Sequence, residues 1–240
     1  MQATPYDDIA DWYDEIAPAI SNDATLSPFL VIVGDVAGQR LCDLACGQGI
    51  LARALARRGA SVVGIDLSRR MLEIARRYER DEPLGVGYLH GDAQTLDAVR
   101  DESFDGVACH LALMDIPDLD AVVQTVHRIL RTGGWFAFSI VHPCFQTPGS
   151  EWLVHSDGKA CRGVSGYFVE RFWRSENLAG VRGKVGAHHR MLSTYLNALV
   201  AAGLQIERTI EPPETGERGR LHPGNREVPW LFFGRCRKGD

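Results

Sequence analysis

The stretch Arg40-Leu-Cys-Asp-Leu-Ala-Cys-Gly-Gln-Gly-Ile50 decides the fold of this chain. Its apolar first half, Arg40–Ala45, predicts a short β-strand, and Gly47 and Gly49 predict a sharp turn. A helix is predicted from Ile50 to Arg58, where Gly59 would end it. Glycines let the backbone turn sharply and come close to a ligand. The unit therefore predicts a binding site at the carboxyl end of its strand.

Strands and helices alternate after this unit. Four more strands are predicted, at Ser61–Ile65, Val86–His90, Phe104–Cys109 and Trp135–Val141. Helices are predicted from the N-cap Ser68 to Tyr78 and over Leu119–Leu130. This alternation is typical of parallel crossovers with helices on both faces of a sheet. A last helix, His189–Ala202, precedes strands at Leu204–Glu211 and Val228–Cys236, which predict an antiparallel hairpin at the sheet edge. The expected fold is a doubly wound, mostly parallel, seven-stranded α/β sheet.

The whole chain, residues 1–240, is predicted to be a single domain. Residues 1–35 form an N-terminal helical lid, because Ile9, Trp12, Tyr13 and Ile16 recur at helical spacing. Residues 36–142 form the ligand-binding core, and 188–240 form the last helix and hairpin. Residues 143–187 are an insertion after the fifth strand that is rich in glycine and aromatic residues and weakly periodic. A segment of this length and kind predicts a binding role.

The composition limits the classes of protein to which this chain can belong. Its 240 residues, 45% of them hydrophobic, can bury a core without disulfides. The net charge of -5 leaves no basic excess for a phosphate backbone, so no nucleic-acid partner is expected. No apolar run approaches the ~20 residues that span a bilayer, and no signal peptide is recognised. The six cysteines form no Cys-x-x-Cys pair, and a reducing cytoplasm is the predicted compartment. The oligomeric state is left open.

Acidic residues lie at or near the carboxyl ends of three successive strands of the predicted sheet. Asp43 lies beside the glycine turn, where it suits a ligand with a cationic amine. Asp66 ends the next strand, and a carboxylate there can accept both hydroxyls of a ribose. Asp92 follows the third strand, where its side chain can accept from the exocyclic amine of an adenine. The three positions together predict a nucleotide-type ligand at the strand ends.

A dinucleotide site is the competing interpretation of the glycine turn. Gly47-x-Gly49-x-x-Ala52 fits the fingerprint G-x-G-x-x-G/A of nicotinamide-dependent enzymes. Two features argue against that interpretation: Asp43 stands where a pyrophosphate would pass, and the turn follows some forty residues of chain.

The same residues resemble the class I S-adenosylmethionine-dependent methyltransferases, in particular the broad family of small-molecule methyltransferases. Asp43-x-Ala-Cys-Gly-x-Gly49 resembles the first motif of that family, Val63-Gly-Ile-Asp66-Leu-Ser68 the second, and His90-Gly-Asp92-Ala93 the third. His188-His189-Arg190 opens a stretch that is similar to its C-terminal signature. The likeness runs from Tyr6 to about Gly134, resumes at His188 and leaves the insertion uncovered.

This resemblance implies S-adenosylmethionine as the cofactor and assigns it eleven residues. Asp43, Ala45 and Gly47 would contact the methionine part, with Cys46 as a small packing residue of the same turn. Asp66 would bind the ribose, Leu67 and Met71 would flank the adenine, and Asp92 and Ala93 would lie at the adenine edge. His110 would lie under the sulfonium, and Tyr13 would close over the cofactor from the lid.

The reacting groups are predicted near the insertion. His142, after the fifth strand, and His189 are the candidate general bases, with capping or packing as the alternative. His142, His155, His188, His189, Cys144 and Cys161 match no zinc spacing, so no metal is predicted. Trp152, Tyr167, Phe168, Phe172 and Trp173 predict either an acceptor pocket or a satellite core. Arg162, Arg171 and Arg174 either clamp an acidic group or are solvated.

The predicted function is methyl transfer to an O, N or C nucleophile of a small metabolite. The aromatic residues of the insertion favour an aromatic or heteroaromatic natural product. The alternatives are a nicotinamide-dependent oxidoreductase and a cofactor-binding member of the fold that transfers no methyl group.

Overall fold

A computed structural model describes residues 4–20, 25–154, 156–157, 159–214 and 223–239. In chain order its elements are α1 (Pro5–Ile20), α2 (Leu26–Val33), β1 (Arg40–Leu44), α3 (Ile50–Ala56), β2 (Ser61–Asp66), α4 (Arg69–Asp81), β3 (Gly87–His90), β4 (Phe104–His110), a short 3-10 helix (Leu113–Asp115), α5 (Leu119–Ile129), β5 (Leu130–Val141), β6 (Glu151–Val154), β7 (Ala160–Gly163), β8 (Arg171–Trp173), α6 (Val181–Lys184), β9 (Ala187–His189), α7 (Leu192–Ala201), β10 (Leu204–Ile210), a second 3-10 helix (Pro223–Arg226) and β11 (Leu231–Lys238).

The predicted seven-stranded sheet is confirmed. Its strand order is β10-β11-β5-β4-β1-β2-β3, and β1 to β5 are parallel to one another. The predicted hairpin is also present: β11 runs antiparallel to both β10 and β5, and so lies between the parallel part of the sheet and the edge strand β10. The strand order reverses at β1, which has β2 on one side and β4 on the other. In open α/β sheets, ligands bind outside the carboxyl ends of the strands at such a point.

Both faces of the sheet are buried, as a doubly wound fold requires. Along β5, Phe136 and Phe138 pack into the core on one face, whereas Trp135 and Ala137 pack into the core on the other. This alternation follows from the two-residue period of a strand. The helices α5 and α7 cover the first face, and α2, α3 and α4 cover the second.

Helix α4 illustrates how local sequence fixes an element of this core. Its predicted N-cap is confirmed, because Ser68 Oγ accepts the N–H of Met71 at 3.1 Å. Met71, Leu72, Ile74 and Ala75 are buried on one side of the helix. The helix continues past the predicted end at Tyr78 to Asp81.

The insertion is more regular than its sequence indicated. An antiparallel pair, β6 and β7, forms one small sheet, and β8 pairs with β9 in another. The prediction that a helix begins at His189 is wrong, because His189 pairs with Arg171 at the end of β9 and the helix begins at Leu192. His155 lies outside the described residues. Within the described ranges, no helix is both long and apolar enough to cross a membrane.

Candidate active site

A cavity of about 320 Å³ opens at the carboxyl ends of β1, β2 and β4, and we call it the strand-end cavity. Residues from the lid helix α1 and from the insertion complete its wall. All eleven residues predicted to contact the cofactor line this cavity: Tyr13, Asp43, Ala45, Cys46, Gly47, Asp66, Leu67, Met71, Asp92, Ala93 and His110. Parallel strands bring their carboxyl ends to one edge of the sheet, so residues far apart in the sequence meet there.

The turn after β1 is held in an unusual backbone conformation. Ala45, Gly47 and Gly49 have φ angles of +55°, +54° and +85°, in the left-handed region that glycine tolerates best. A Cβ atom at Gly47 would meet no described atom within 4 Å, so the space beside this glycine is open to a ligand. The turn therefore exposes backbone to the strand-end cavity.

Asp66 joins this turn to the end of β2. Its Oδ2 accepts the N–H of Gly47 at 2.8 Å, and its Oδ1 accepts the N–H of Ser68 at 2.7 Å. Burial raises the pKa of Asp66, while these two N–H groups act in the opposite direction. Each carboxylate oxygen has a second lone pair, so Asp66 retains acceptor capacity for two hydroxyl groups.

Asp43 lies deep in the same wall and is 1% exposed. Its Oδ2 is buried and has no hydrogen-bond partner among the described residues. Burial raises the pKa of Asp43 to about 8, and the nearby Asp66 acts in the same direction. A cationic donor next to Asp43 would stabilise its carboxylate.

Two further buried polar atoms of this wall lack a described partner. His110 Nδ1 is hydrogen-bonded to Ser139 Oγ at 2.7 Å, but His110 Nε2 and Gln48 Nε2 are unsatisfied. Burial lowers the pKa of His110 to about 3, so its ring is neutral. An unsatisfied buried polar group costs about 1–3 kcal/mol, so the three atoms, on Asp43, Gln48 and His110, indicate a polar ligand in the cavity.

Another part of the lining of the strand-end cavity combines apolar surface with one carboxylate. Met71 and Ala93 are buried there. The side-chain amide of Gln94 donates to both oxygens of Asp92, at 3.0 and 3.1 Å, and so fixes the orientation of the carboxylate. A flat base with an exocyclic amine suits this combination of surfaces.

Helix α1, which belongs to the predicted N-terminal lid, contributes side chains to the wall of the strand-end cavity. Tyr6 and Tyr13 line the cavity and pack edge to face, with ring centroids 5.6 Å apart. The Tyr6 hydroxyl donates to Asp115 at 2.9 Å, and Asp115 also forms an ion pair with Arg182 of α6. The lid is thus tied to the segment after β4 and to the insertion.

A second, larger cavity of about 1010 Å³ lies against the first. Most of its lining comes from residues 143–187, so we call it the insertion cavity. The two cavities share five lining residues, Tyr6, Tyr13, Leu111, Ala187 and His188. We call this shared wall the junction.

The structure separates the predicted general bases. His142 lines neither cavity, and both of its ring nitrogens are engaged: Nε2 donates to Glu211 at 2.6 Å and Nδ1 accepts the N–H of Cys144 at 3.2 Å. His142 therefore lies outside both cavities, with its ring held between Glu211 and the backbone of Cys144. His189 lines the insertion cavity, and its Nε2 donates to the carbonyl of Tyr167 at 2.8 Å.

His188, which the sequence analysis placed in the family signature and did not select as a general base, lies at the junction. No described residue forms a hydrogen bond with its ring, which contacts the ring of Phe172 at a centroid distance of 5.2 Å. Burial lowers the pKa of His188, and Arg190 acts in the same direction, against the opposing effect of Asp115. The free base therefore predominates at neutral pH. In the sequence, its position in the signature His188-His189-Arg190, directly before the candidate base His189, was the signal that could have found it.

The aromatic residues of the insertion divide between several roles. Trp173 lines the insertion cavity, Phe172 lines the strand-end cavity, and Phe168 is 82% exposed. Trp152 lies under the guanidinium of Arg162. Most of the aromatic lining of the insertion cavity comes instead from outside the insertion, from Tyr6, Tyr13, Tyr195 and Trp230.

Comparisons with known proteins agree with this geometry. A family model described as "Methyltransferase domain" matches residues 42–138. The crystal structure of an S-adenosylmethionine-dependent methyltransferase from Mesorhizobium loti is similar with a TM-score of 0.76 and 32% identity, covering 88% of this chain and 96% of that one. Two curated relatives are ubiquinone biosynthesis O-methyltransferases. The one from Ralstonia nicotianae is 35% identical over 150 residues, and the one from Chromobacterium violaceum is 31% identical over 134 residues. These matches cover 60% and 55% of this chain, and 61% and 58% of the relatives.

Proposed function

The chain belongs to the class I S-adenosylmethionine-dependent methyltransferases, and we propose that it methylates a small aromatic metabolite at a nucleophile held in the insertion cavity. Its cofactor is S-adenosylmethionine, which supplies an electrophilic methyl group on a sulfonium. The observation that carries the proposal is the junction, where a cavity suited to the cofactor and a cavity of ample size for an acceptor share one wall.

The residues of the strand-end cavity fit this cofactor. The unsatisfied Oδ2 of Asp43 suits the ammonium of the methionine part, and Asp66 suits the two ribose hydroxyls. Asp92, held by Gln94, suits the adenine amine, between the apolar side chains of Leu67 and Met71. The neutral His110 contributes a polar nitrogen without adding positive charge beside a sulfonium.

We propose an oxygen nucleophile, a hydroxyl group, as the acceptor atom. Two observations support this choice: the relatives named above are O-methyltransferases, and a neutral histidine stands at the junction. A hydroxyl benefits from a base that accepts its proton, and the free imidazole of His188 can do so. His188 then passes that proton to solvent through the insertion cavity.

Tyr13 is proposed to act beside His188 as an oriented donor. Burial raises the pKa of Tyr13 to about 12, so its hydroxyl keeps its proton. With Tyr6 it closes the strand-end cavity from the lid side and excludes water from the junction. Positioning and water exclusion can supply most of the rate enhancement, because the donor is already activated.

We also propose the reducing cytoplasm as the compartment, since all six cysteines are free thiols.

Isothermal titration with S-adenosylhomocysteine tests the cofactor site. We expect micromolar binding by the native protein and a loss of at least about tenfold for Asp66→Asn, because an amide cannot accept from the ribose and from both backbone N–H groups. Asp97→Asn is the matched control, since Asp97 is exposed and does not line the strand-end cavity.

Methyl transfer is tested separately, by following S-adenosylhomocysteine formation with a panel of hydroxylated aromatic compounds. Turnover with at least one compound, greatly reduced in His188→Asn, supports the proposal. Tight cofactor binding without turnover on any member of a broad panel would favour the cofactor-binding alternative. No binding of S-adenosylhomocysteine by folded protein would contradict the assignment of the cavity.

A further inference from the structure

Five arginines line the insertion cavity: Arg162, Arg171, Arg174, Arg182 and Arg190. Two of them are occupied by the fold. Arg182 forms its ion pair with Asp115, and Arg190 donates to the carbonyl oxygens of Leu113, Ile116 and Pro117. The other three, Arg162, Arg171 and Arg174, form no ion pair with any described carboxylate.

Among these three, Arg162 is the one whose guanidinium forms hydrogen bonds with described residues. Its Nε donates to the carbonyl of Phe145 at 2.8 Å, and its Nη2 donates to Ser150 Oγ at 2.6 Å and Gln146 Oε1 at 3.2 Å. Its guanidinium also lies over the ring of Trp152, 5.1 Å from the centroid. Every one of these partners is electrically neutral, and Nη1 has no described acceptor.

The charge of Arg162 is therefore held in place without an ion pair to a described carboxylate, and the carboxylates that line the same cavity belong to Glu151, Glu176 and Glu214. Burial lowers the pKa of its guanidinium, and no carboxylate acts in the opposite direction. A pre-oriented guanidinium with a free N–H edge matches the planar oxygens of a carboxylate or the oxygens of a phosphate. Arg171 and Arg174 add two exposed cations to the same lining, and neither has a described hydrogen-bond partner for its side chain.

We propose that Arg162, with Arg171 and Arg174, binds an anionic group, a carboxylate or a phosphate, on the acceptor molecule. This inference rests on the proposed function, because it assigns the acceptor to the insertion cavity. The same cavity reaches His188, Tyr6 and Tyr13 at the junction. An acceptor anchored through its anion on the arginines would present its other end to the junction, and neutral analogues would lose the anchor.

Two pairs of aromatic probes test the preference for an anion. Cinnamate is compared with cinnamamide, and phenyl phosphate is compared with benzyl alcohol. Each is titrated into the full-length protein, with and without S-adenosylhomocysteine, and binding is followed by calorimetry. We expect at least one anion to bind about ten- to a hundredfold more tightly than its neutral counterpart, the range for a hydrogen bond to a charged group. The pair that shows the larger difference identifies the carboxylate or the phosphate as the preferred group.

Three variants locate the effect. Arg162→Gln should abolish the preference, and Arg162→Lys should retain part of it, because lysine keeps the charge but loses the forked geometry. The double variant Arg171→Gln/Arg174→Gln should weaken the preference without disturbing the fold, since those side chains make no described contact. Arg100→Gln is the control, an exposed arginine outside both cavities, and should match the native protein.

Equal binding of anionic and neutral probes, or no binding of either anion, would overturn the inference. So would a preference that survives both Arg162→Gln and the double variant. Because the titrations are also run without S-adenosylhomocysteine, the anion preference is measured whether or not the cofactor site behaves as proposed. Failure of cofactor binding would count only against the proposed function.

Discussion

Gly49 lies so close to the ring of Tyr88 that a Cβ atom on it would stand 2.3 Å from the Tyr88 hydroxyl oxygen. The glycine also has a φ angle of +85°. The turn after β1 and strand β3 thus fit together only when residue 49 has no side chain. Tyr88 is itself buried, and its hydroxyl has no hydrogen-bond partner among the described residues. A side chain at position 49 would therefore have to displace a buried ring.

Gly49→Ala is expected to lower the free energy of unfolding by more than the ~1–2 kcal/mol of left-handed backbone strain alone. Gly38→Ala is the matched control, because Gly38 has a φ angle of +74° but a Cβ atom there would meet nothing within 4 Å. Chemical denaturation measures both variants. Tyr88→Phe removes the nearest atom and should restore part of the loss in a Gly49→Ala background. Equal losses in the two glycine variants would contradict the contact.

Cofactor binding should release a proton from Asp43. With a pKa of about 8, this carboxyl is mostly protonated in the free protein at pH 7. An ammonium group beside it favours the carboxylate and lowers that pKa, so close to one proton leaves on binding. Calorimetric titrations with S-adenosylhomocysteine in phosphate and in Tris at pH 7 should give different apparent enthalpies. The difference should vanish in Asp43→Asn and fade above about pH 9, and a difference that persisted in the variant would assign the proton elsewhere.

The same raised pKa has a consequence for stability. A carboxyl whose pKa is higher in the folded than in the unfolded protein stabilises the fold most at low pH. Without ligand, the contribution of Asp43 to the free energy of unfolding should therefore decrease between about pH 4 and pH 8. Asp43→Asn should flatten this part of the profile.

The pH dependence of methyl transfer should report on His188. Because burial and Arg190 lower its pKa below 6.5, the free base predominates at neutral pH. We expect kcat/KM for the acceptor to be level from neutral pH upward and to fall on the acid side. His188→Gln should reduce kcat about a hundredfold or more, the usual range for a general base, and remove the acid limb. An unchanged acid limb in the variant would rule out His188 as the titrating group.

The lid should open more readily at high salt. Helix α1 is held to α4 by two ion pairs, an exposed one between Asp11 and Arg70 and a half-buried one between Asp14 and Arg77, and ions screen pairs that solvent reaches. We expect the dissociation rate of S-adenosylhomocysteine, measured by stopped flow, to rise a few-fold between low and high salt. Asp11→Asn/Asp14→Asn should dissociate fast at every salt concentration. Asp101→Asn is the control, because it loses an ion pair with Arg128 away from the lid, and it should behave as the native protein. The same salt response in the native protein, the double variant and the control would show that the two lid pairs do not set the dissociation rate.

The strand-end cavity could be predicted from the sequence because local rules determine it. Asp43 and Asp66 each follow a short apolar run, and parallel pairing places Asp43 opposite Gly64 and Asp66 opposite His90. The order of strand, turn and helix thus defines which side chains meet. The family resemblance then implied which eleven residues contact the cofactor, and all eleven line the strand-end cavity.

The insertion cavity could not be predicted in the same way, because it depends on contacts between distant residues. His142 stands at a strand end, as a catalytic residue would, yet Glu211, 69 residues further on, occupies its Nε2. The pairing of β8 with β9 directs His188 to the junction, and no periodicity in the insertion indicates that pairing. Contacts that depend on tertiary packing cannot be predicted from the local pattern of a single sequence.

Tyr6 and Tyr13 belong to the walls of both cavities at once, and this sharing bears on the kinetic mechanism. A lid that swings away to admit the cofactor also removes part of the surface on which the acceptor rests. We therefore expect the acceptor to bind more tightly once the cofactor is in place and the lid has returned. The two substrates should then add in a preferred order, with the methylated product leaving before the spent cofactor.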